Sequence, residues 1–280
     1  SKRWRPIWGC TSVPADPVSP TAARADVSVI ILGTAAALAD AERANTYLAV
    51  VRRGRYWLVD CADSPIGRLQ RVGLDPLAVR GVIITHFHPD HVFGLPIYLM
   101  GLYLLGFFHK CVRREPLPIY APSEALQLVR AMIGLFQMQD WTEMFSLEYH
   151  PIEARSGWAV AEDEDFIIVA APTHHSVSSV ALRFVARNTG RSLVYSSDTA
   201  PCPEVEALAW GTDLLIHEAA GAGFGHASAA EAGMAATRAN AARLLLVHYF
   251  AEAKPRLLAE AQQTFSGPIQ IAEELATYAW

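Results

Sequence analysis

From Thr85 to His91 the chain reads Thr-His-Phe-His-Pro-Asp-His, directly after the β-branched run Gly81-Val82-Ile83-Ile84. An apolar run of that length and composition is a buried strand, so three imidazoles and a carboxylate stand where a strand opens into a loop. His86 and His88 are two apart in extended chain and aim their rings to one side, and Pro89 sets a turn that brings up Asp90 and His91. A histidine in isolation is a surface or hydrogen-bonded residue. Several histidines with an aspartate at one strand tip are a metal donor set, enough for half of each of two adjacent sites. A chain built around this stretch needs other strands that bring the missing ligands to the same place.

Four later runs have that form. Residues 166–170 lead to Thr173-His174-His175-Ser176, 192–195 to Ser196-Ser197-Asp198-Thr199, 214–216 to His217-Glu218, and 244–247 to His248. Ordinary strands close on Gly, Asn or Ser, so repeated closure on metal-capable groups points to strand ends gathered about one centre. Earlier, residues 27–32 read as a strand turning at Gly33-Thr34, and 45–51 with 56–60 as a hairpin about Arg52-Arg53-Gly54-Arg55, whose arginines read as solvated. Residues 65–72 have helical spacing stopped by Gly73, 117–120 read as a strand and 123–136 as a helix. Asp60 and Asp63 suit either orientation of a ligating histidine or plain loop roles, and both stay open. His150 reads as an irregular surface residue, His217 as a hydrogen-bonding partner of a ligand, and His109, Lys110, Arg113 and Arg114 as a solvated basic cluster with an anionic substrate as the alternative contact.

With 280 residues, 52% of them hydrophobic and 18% charged, the chain suits one well-buried domain, expected over 26–280 and preceded by an N-terminal extension over 1–25. A net charge of -5 argues against nucleic-acid binding through overall charge and leaves a local basic patch open. Cys10, Cys61, Cys111 and Cys202 form no Cys-x-x-Cys pair and read as free thiols in a reducing compartment. With no secretory pattern at the start, a cytoplasmic location is the expectation. The apolar run 92–108 carries Gly94, Pro96, Gly101 and Gly106 and reads as a buried or dimer-forming helix rather than a membrane span. The chain divides into two similar halves, strands followed by helices, which suits two sheets packed face to face with helices outside.

The motifs together resemble the metallo-β-lactamase superfamily and, more narrowly, its ribonuclease Z-like branch. After His-x-His-x-Asp-His that branch carries a His before a hydroxyl-rich turn, then S-G-D-T, H-E-A-T and H-S/T segments. Here they stand as His175-Ser176-Val177-Ser178-Ser179, Ser196-Ser197-Asp198-Thr199, His217-Glu218-Ala219-Ala220 and His226-Ala227-Ser228, closed by His248. Over residues 27–248 the resemblance implies an α/β fold, an αββα four-layer sandwich of two mixed β-sheets with helices outside. It implies a dinuclear hydrolase with one divalent ion on His86, His88 and His175, a second on Asp90, His91 and His248, and Asp198 bridging them. Zinc is the first expectation, with manganese or iron open, and the nucleophile is a hydroxide shared by the ions. Asp90 would act as general base, and Glu218 would orient His226 as proton donor to the leaving group, the alternative being a plain tie between loops. His174 would support the site or face substrate. Ser228-Ala229-Ala230-Glu231 has the capping-box form, placing His226 just ahead of a helix N-terminus able to receive a phosphate.

Pro89 and Ser197 stand where the branch often has Gly, and Ala227 separates His226 from Ser228. The long Gly/Pro-rich arm with which transfer RNA-processing members clamp their substrate has no counterpart between the motifs, and residues 137–168 are short and acidic. The expected substrate is therefore a phosphodiester in a nucleotide, a cyclic nucleotide or an RNA end, handled by a soluble homodimer. The alternatives are an esterase, thioesterase or arylsulfatase on the same fold, or a metal-bound non-catalytic binding protein.

Overall fold

The computed structural model describes residues 27–110 and 113–280. The extension read over 1–25, with Cys10, and likewise Cys111 lie outside the described residues. In chain order the elements are β1 (Val27–Gly33), β2 (Tyr47–Arg52), β3 (Arg55–Val59), α1 (Pro65–Arg71), β4 (Val79–Ile83), α2 (Pro89–Val92), α3 (Leu95–His109), β5 (Leu117–Pro122) and α4 (Ser123–Leu135). The second half runs β6 (Leu147–Ile152), β7 (Trp158–Glu162), β8 (Phe166–Pro172), β9 (Val180–Ala186), β10 (Ser192–Tyr195), α5 (Pro203–Leu208), β11 (Leu214–Glu218), α6 (Ala229–Arg238), β12 (Leu244–Val247), α7 (Lys254–Gln262), β13 (Ile269–Ile271) and β14 (Thr277–Ala279).

Among the described residues these strands make two seven-stranded sheets, ordered β14-β1-β2-β3-β4-β5-β6 and β13-β12-β11-β10-β9-β8-β7. Each sheet is mixed. β1, β2 and β3 pair antiparallel before β3, β4, β5 and β6 run parallel, and β7 to β10 pair antiparallel before β10 to β13 run parallel. The alternation of side chains along each strand divides the core into layers. On β1, Val27, Val29 and Ile31 face the opposite sheet, while Ile30 and Leu32 face the cluster containing Leu69, Leu99, Leu102 and Val129 of α1, α3 and α4. The outer face of the second sheet packs Leu215, Leu244 and Leu246 against Ala232, Ala236, Leu257 and Ala261 of α6 and α7. Helix, sheet, sheet, helix is the layered arrangement expected from the sequence.

The hairpin closes at Arg53 and Gly54, both with positive φ, as a two-residue turn requires. Its arginines are not all solvated as expected. Arg52 is buried and sits 2.9 Å from the buried carboxylate of Asp165, because the turn folds back toward the β7–β8 connection of the other sheet. Pro89 starts α2 at its first turn rather than making an isolated turn, which suits its fixed φ and missing N–H. His150 lies in β6, stacked on Tyr120 with centroids 4.6 Å apart, so its stretch is regular. Arg113 of the basic cluster is a structural tie, donating to the carbonyls of Val79 and Glu115.

α2 and α3 form a run, Pro89–Phe108, long and apolar enough by length and composition to cross a membrane, half of it buried against the protein. Leu95, Tyr98, Leu99 and Leu102 are buried, whereas Phe93, Ile97, Phe107 and Phe108 are exposed.

Candidate metal centre

The strand ends that carry the histidines meet at one edge of the two sheets. Beyond β4, His86 and His88 turn toward each other, with His86 Nε2 and His88 Nδ1 3.1 Å apart. Beyond β8, His175 Nε2 comes within 3.1 Å of the same His88 Nδ1. Asp198, beyond β10, reaches His86 Nε2 at 3.7 Å and His175 Nε2 at 4.0 Å with Oδ2. Its Oδ1 lies 3.5 Å from His248 Nε2, beyond β12. Asp90 Oδ2 is 3.5 Å from both His91 Nε2 and His248 Nε2. The donor atoms thus fall into two adjoining groups, His86, His88, His175 and Asp198 in one and Asp90, His91 and His248 in the other.

Several site residues adopt backbone conformations that bulky side chains avoid. Asp60, Ser197 and His248 have φ of 59°, 54° and 51°. Each follows the end of β3, β10 or β12, and the left-handed step swings the chain out of the strand direction toward the centre. At Ser197 this explains why a glycine serves there in the resembling branch.

The spacing around His91, His248 and Asp198 fits metal better than direct hydrogen bonding. His91 Nε2, both ring nitrogens of His248 and Asp198 Oδ1 are buried without a hydrogen-bond partner. Such groups are costly to leave unpaired. Donor pairs 3.4 to 3.5 Å apart are too long for strong hydrogen bonds, but they match the edge of a tetrahedron with bonds of about 2.0–2.2 Å to a shared ion. The residues present therefore suit divalent metal ions.

The surrounding polar groups set the rings. His91 Nδ1–H donates to Asp60 Oδ2 at 2.8 Å, which answers the open role of Asp60, whereas Asp63 pairs with Arg68 at 3.0 Å and takes no part. Thr85 Oγ1 lies 3.1 Å from His86 Nδ1 and donates to Asp60. His175 Nδ1–H donates to the Gly225 carbonyl at 2.9 Å. These contacts leave Nε2 of His91 and His175 free to ligate. His217 is buried and donates from Nδ1 to the Glu218 carbonyl, away from the cluster, and His174 is exposed beside Glu204.

The electrostatics are those of a packed histidine and carboxylate cluster. Burial would raise Asp198, but His248, His91 and His86 hold it well below the carboxylate range. Burial and the neighbouring His91 push His86 well down, toward the neutral form a ligand needs. Burial would also lower His91, yet Asp198 and Asp60 on either side carry it well up.

Glu218 and His226 form a separate pair at the rim. His226 Nδ1–H donates to Glu218 Oε1 at 2.8 Å, and the same nitrogen is 3.9 Å from Asp198. Burial works to lower His226, but Glu218 and then Asp198 raise it above its usual value, favouring the protonated ring. Glu218 is itself fixed by the backbone N–H groups of Thr199 and Ala220. The capping box at Ser228 is present, with Ser228 N–H and Oγ both donating to Glu231 and the Glu231 N–H donating to Ser228 Oγ. Gly225 stands outside the sequence expectations. The Gly-x-Gly-x-Gly run from Gly221 to Gly225, just before His226, is the signal that marks a close backbone approach there.

Residues 55–249 match the family described as the beta-lactamase superfamily domain. The chain is 28% identical to the ribonuclease Z of Methanothermobacter thermautotrophicus, with 90% of this chain and 96% of that protein aligned. It is 27% identical to the ribonuclease Z of Mycobacterium bovis, over 89% of this chain and 96% of the other. Among solved structures it resembles the short form of human tRNase Z at a TM-score of 0.74 and 22% identity, covering 90% of this chain and 98% of that one. The metallo-beta-lactamase fold protein YhfI of Bacillus subtilis gives 0.73 and 23%, with the same coverage.

Proposed function

The chain belongs to the β-lactamase superfamily, and from that premise we propose that it is a metal-dependent phosphodiesterase of ribonuclease Z type, acting on RNA or nucleotide phosphodiesters. The observation that carries this reading is the Glu218–His226 pair, hydrogen-bonded at 2.8 Å beside the ligand cluster. An alkoxide leaving from a phosphodiester is strongly basic and departs only with a proton, whereas aryl sulfate and thioester leaving groups are weak bases with little need of one.

In this reading His86, His88 and His175 would hold one ion and Asp90, His91 and His248 a second, with Asp198 available to both donor groups. Zinc is the first choice for imidazole and carboxylate donors at these spacings, with manganese and iron as alternatives. Bound divalent ions supply Lewis-acid polarisation of a phosphoryl oxygen and acidification of water. Asp90, the most accessible carboxylate of the cluster with a side chain 13% exposed, accepts the proton of the attacking water. Glu218 fixes the His226 tautomer through Nδ1 and favours its charged form, and Nε2 delivers the proton to the leaving oxygen. Asp60, Thr85 and the Gly225 carbonyl hold the ligating rings in place.

The exposed row of Phe93, Ile97, Phe107 and Phe108 along α2 and α3 supports self-association as a homodimer. The free thiols of Cys61 and Cys202 accord with a reducing, cytoplasmic setting.

The test is a hydrolysis screen on zinc- and manganese-loaded protein with bis-p-nitrophenyl phosphate, 2′,3′-cyclic nucleotides, 3′-extended RNA, and carboxyl and sulfate esters. Turnover confined to the phosphodiesters supports the reading. Faster turnover of carboxyl or sulfate esters, or none of any substrate by metal-loaded protein, overturns it.

A further inference from the structure

Besides the central cluster and the group that His226 makes with Asp198 and His248 at its rim, the described residues hold one convergence of metal-donor atoms that shares no residue with them, from His174, Cys202 and Glu204. His174 lies in the segment after β8, and Cys202 and Glu204 lie at the start of α5. The two segments are tied by the backbone, since Ala200 N–H donates to the His174 carbonyl at 2.8 Å and His174 N–H donates to Thr199 Oγ1 at 3.1 Å.

His174 Nε2 is 3.5 Å from Glu204 Oε2, and Cys202 Sγ is 3.2 Å from the same oxygen. With bonds of about 2.0–2.3 Å, the edges of a tetrahedral zinc site are close to these separations. Cys202 is a buried residue beneath the group, while the side chains of His174 and Glu204 stay 54% and 39% exposed. An ion seated on Sγ would meet the two exposed groups from the flanks and keep a position open to solvent. The ordinary explanations account for the residues singly. Cys202 stands at the N-cap position of α5 without a side-chain cap, and its thiol is within hydrogen-bonding reach of Glu204 at 3.2 Å and the Pro172 carbonyl at 3.6 Å, but at 3.5 Å the imidazole and carboxylate are beyond a good hydrogen bond and remain convergent.

We propose that His174, Cys202 and Glu204 form an additional cation site, suited to a borderline divalent ion such as zinc or cobalt(II), distinct from the central cluster. The mixture of nitrogen, sulfur and oxygen donors selects such ions over magnesium or calcium, which prefer oxygen alone. As the sulfur–metal bond forms, the Cys202 thiol proton passes to solvent. An occupied site would pin the segment carrying His175 to the one carrying Asp198, a second cross-link beside the ligands of the main centre.

Two readouts test this without reference to activity. Chelator-stripped protein titrated with cobalt(II) is expected to develop thiolate-to-cobalt charge-transfer absorption in the near ultraviolet, and Cys202→Ala is expected to lose it. After dialysis against zinc, elemental analysis is expected to find one equivalent less in Cys202→Ala, His174→Ala and Glu204→Ala than in the unaltered chain. The His174 and Glu204 variants change exposed side chains, so they stay folded and keep the comparison valid if Cys202→Ala does not. Equal zinc content in the unaltered chain and these variants, or an absorption band that survives Cys202→Ala, overturns the proposal.

Discussion

The carboxylate of Asp60 lies 2.8 Å from Nδ1 of His91, with both side chains fully buried. The same carboxylate accepts from the Thr85 backbone N–H at 2.8 Å and from its hydroxyl at 3.0 Å. One group at the end of β3 therefore orients both the start and the end of the His-x-His-x-Asp-His stretch. Asp60→Asn keeps the volume but removes the charge that holds the His91 ring with Nε2 toward the cluster. A 10- to 100-fold loss of metal affinity, typical for removal of a carboxylate behind a ligating histidine, is expected at about that magnitude. Competition with a chromophoric chelator measures it, and an unchanged affinity would remove the orienting role.

His226 lies beside the donor cluster without being needed to complete either ligand group, its Nδ1 bonded to Glu218 at 2.8 Å and 3.9 Å from Asp198. His226→Ala is accordingly expected to retain full metal content while kcat on a phosphodiester with an alkoxide leaving group falls by roughly 10²- to 10⁴-fold. With p-nitrophenolate as leaving group the loss should shrink, because that anion needs little protonation. An equal loss on both substrates would point instead to a positioning role.

Much of this centre was legible in the sequence because ligand chemistry is local. His86, His88, Asp90 and His91 arrive together after one strand, and His175, Asp198, Glu218 and His248 each stand at or just past a strand end. The layered fold was legible from apolar strands followed by helices. What was hidden depends on contacts between distant segments. Arg52 looks like a turn residue until the β7–β8 connection brings Asp165 to it. The strand holding His150 is disguised by Pro151, which the edge strand β6 tolerates because the ladder is not continued beyond it. Asp60 and Asp63 are alike in sequence context, and only the path of α1, which carries Arg68 to Asp63, separates their roles.

Gly225 has a φ of 82°, and a Cβ placed on it would lie 2.9 Å from His175 Nδ1. Gly225→Ala therefore pays a left-handed backbone penalty and also presses on the ring whose Nδ1–H donates to this residue's own carbonyl. Backbone strain alone is of order 1–3 kcal/mol. Weaker metal retention is expected with the overall fold kept, read as reduced metal content after gel filtration and a native circular dichroism spectrum. Gly221→Ala also has positive φ but has open space about its Cβ, so it should retain metal and serve as the control.

Asp165 is fully buried and paired with Arg52 at 2.9 Å and with Arg80, which also reaches Asp163 at 3.3 Å. Arg52 ends β2 and Arg80 lies in β4 of one sheet, while Asp163 and Asp165 connect β7 to β8 of the other. Trp57 Nε1–H donates to Asp163 Oδ2 at 2.9 Å across the same junction. Asp165→Ala would leave buried guanidinium charge short of its closest counter-ion, a defect that costs about 3–5 kcal/mol. Glu162→Ala removes a carboxylate only three residues away but 66% exposed, whose pairing with Arg187 is worth about 0–1 kcal/mol. Urea unfolding of the two variants should therefore show a large fall in midpoint for Asp165→Ala and almost none for Glu162→Ala. Similar midpoints would mean that water reaches the arginines once Asp165 is gone, and that the junction is held by the apolar layer between the sheets instead.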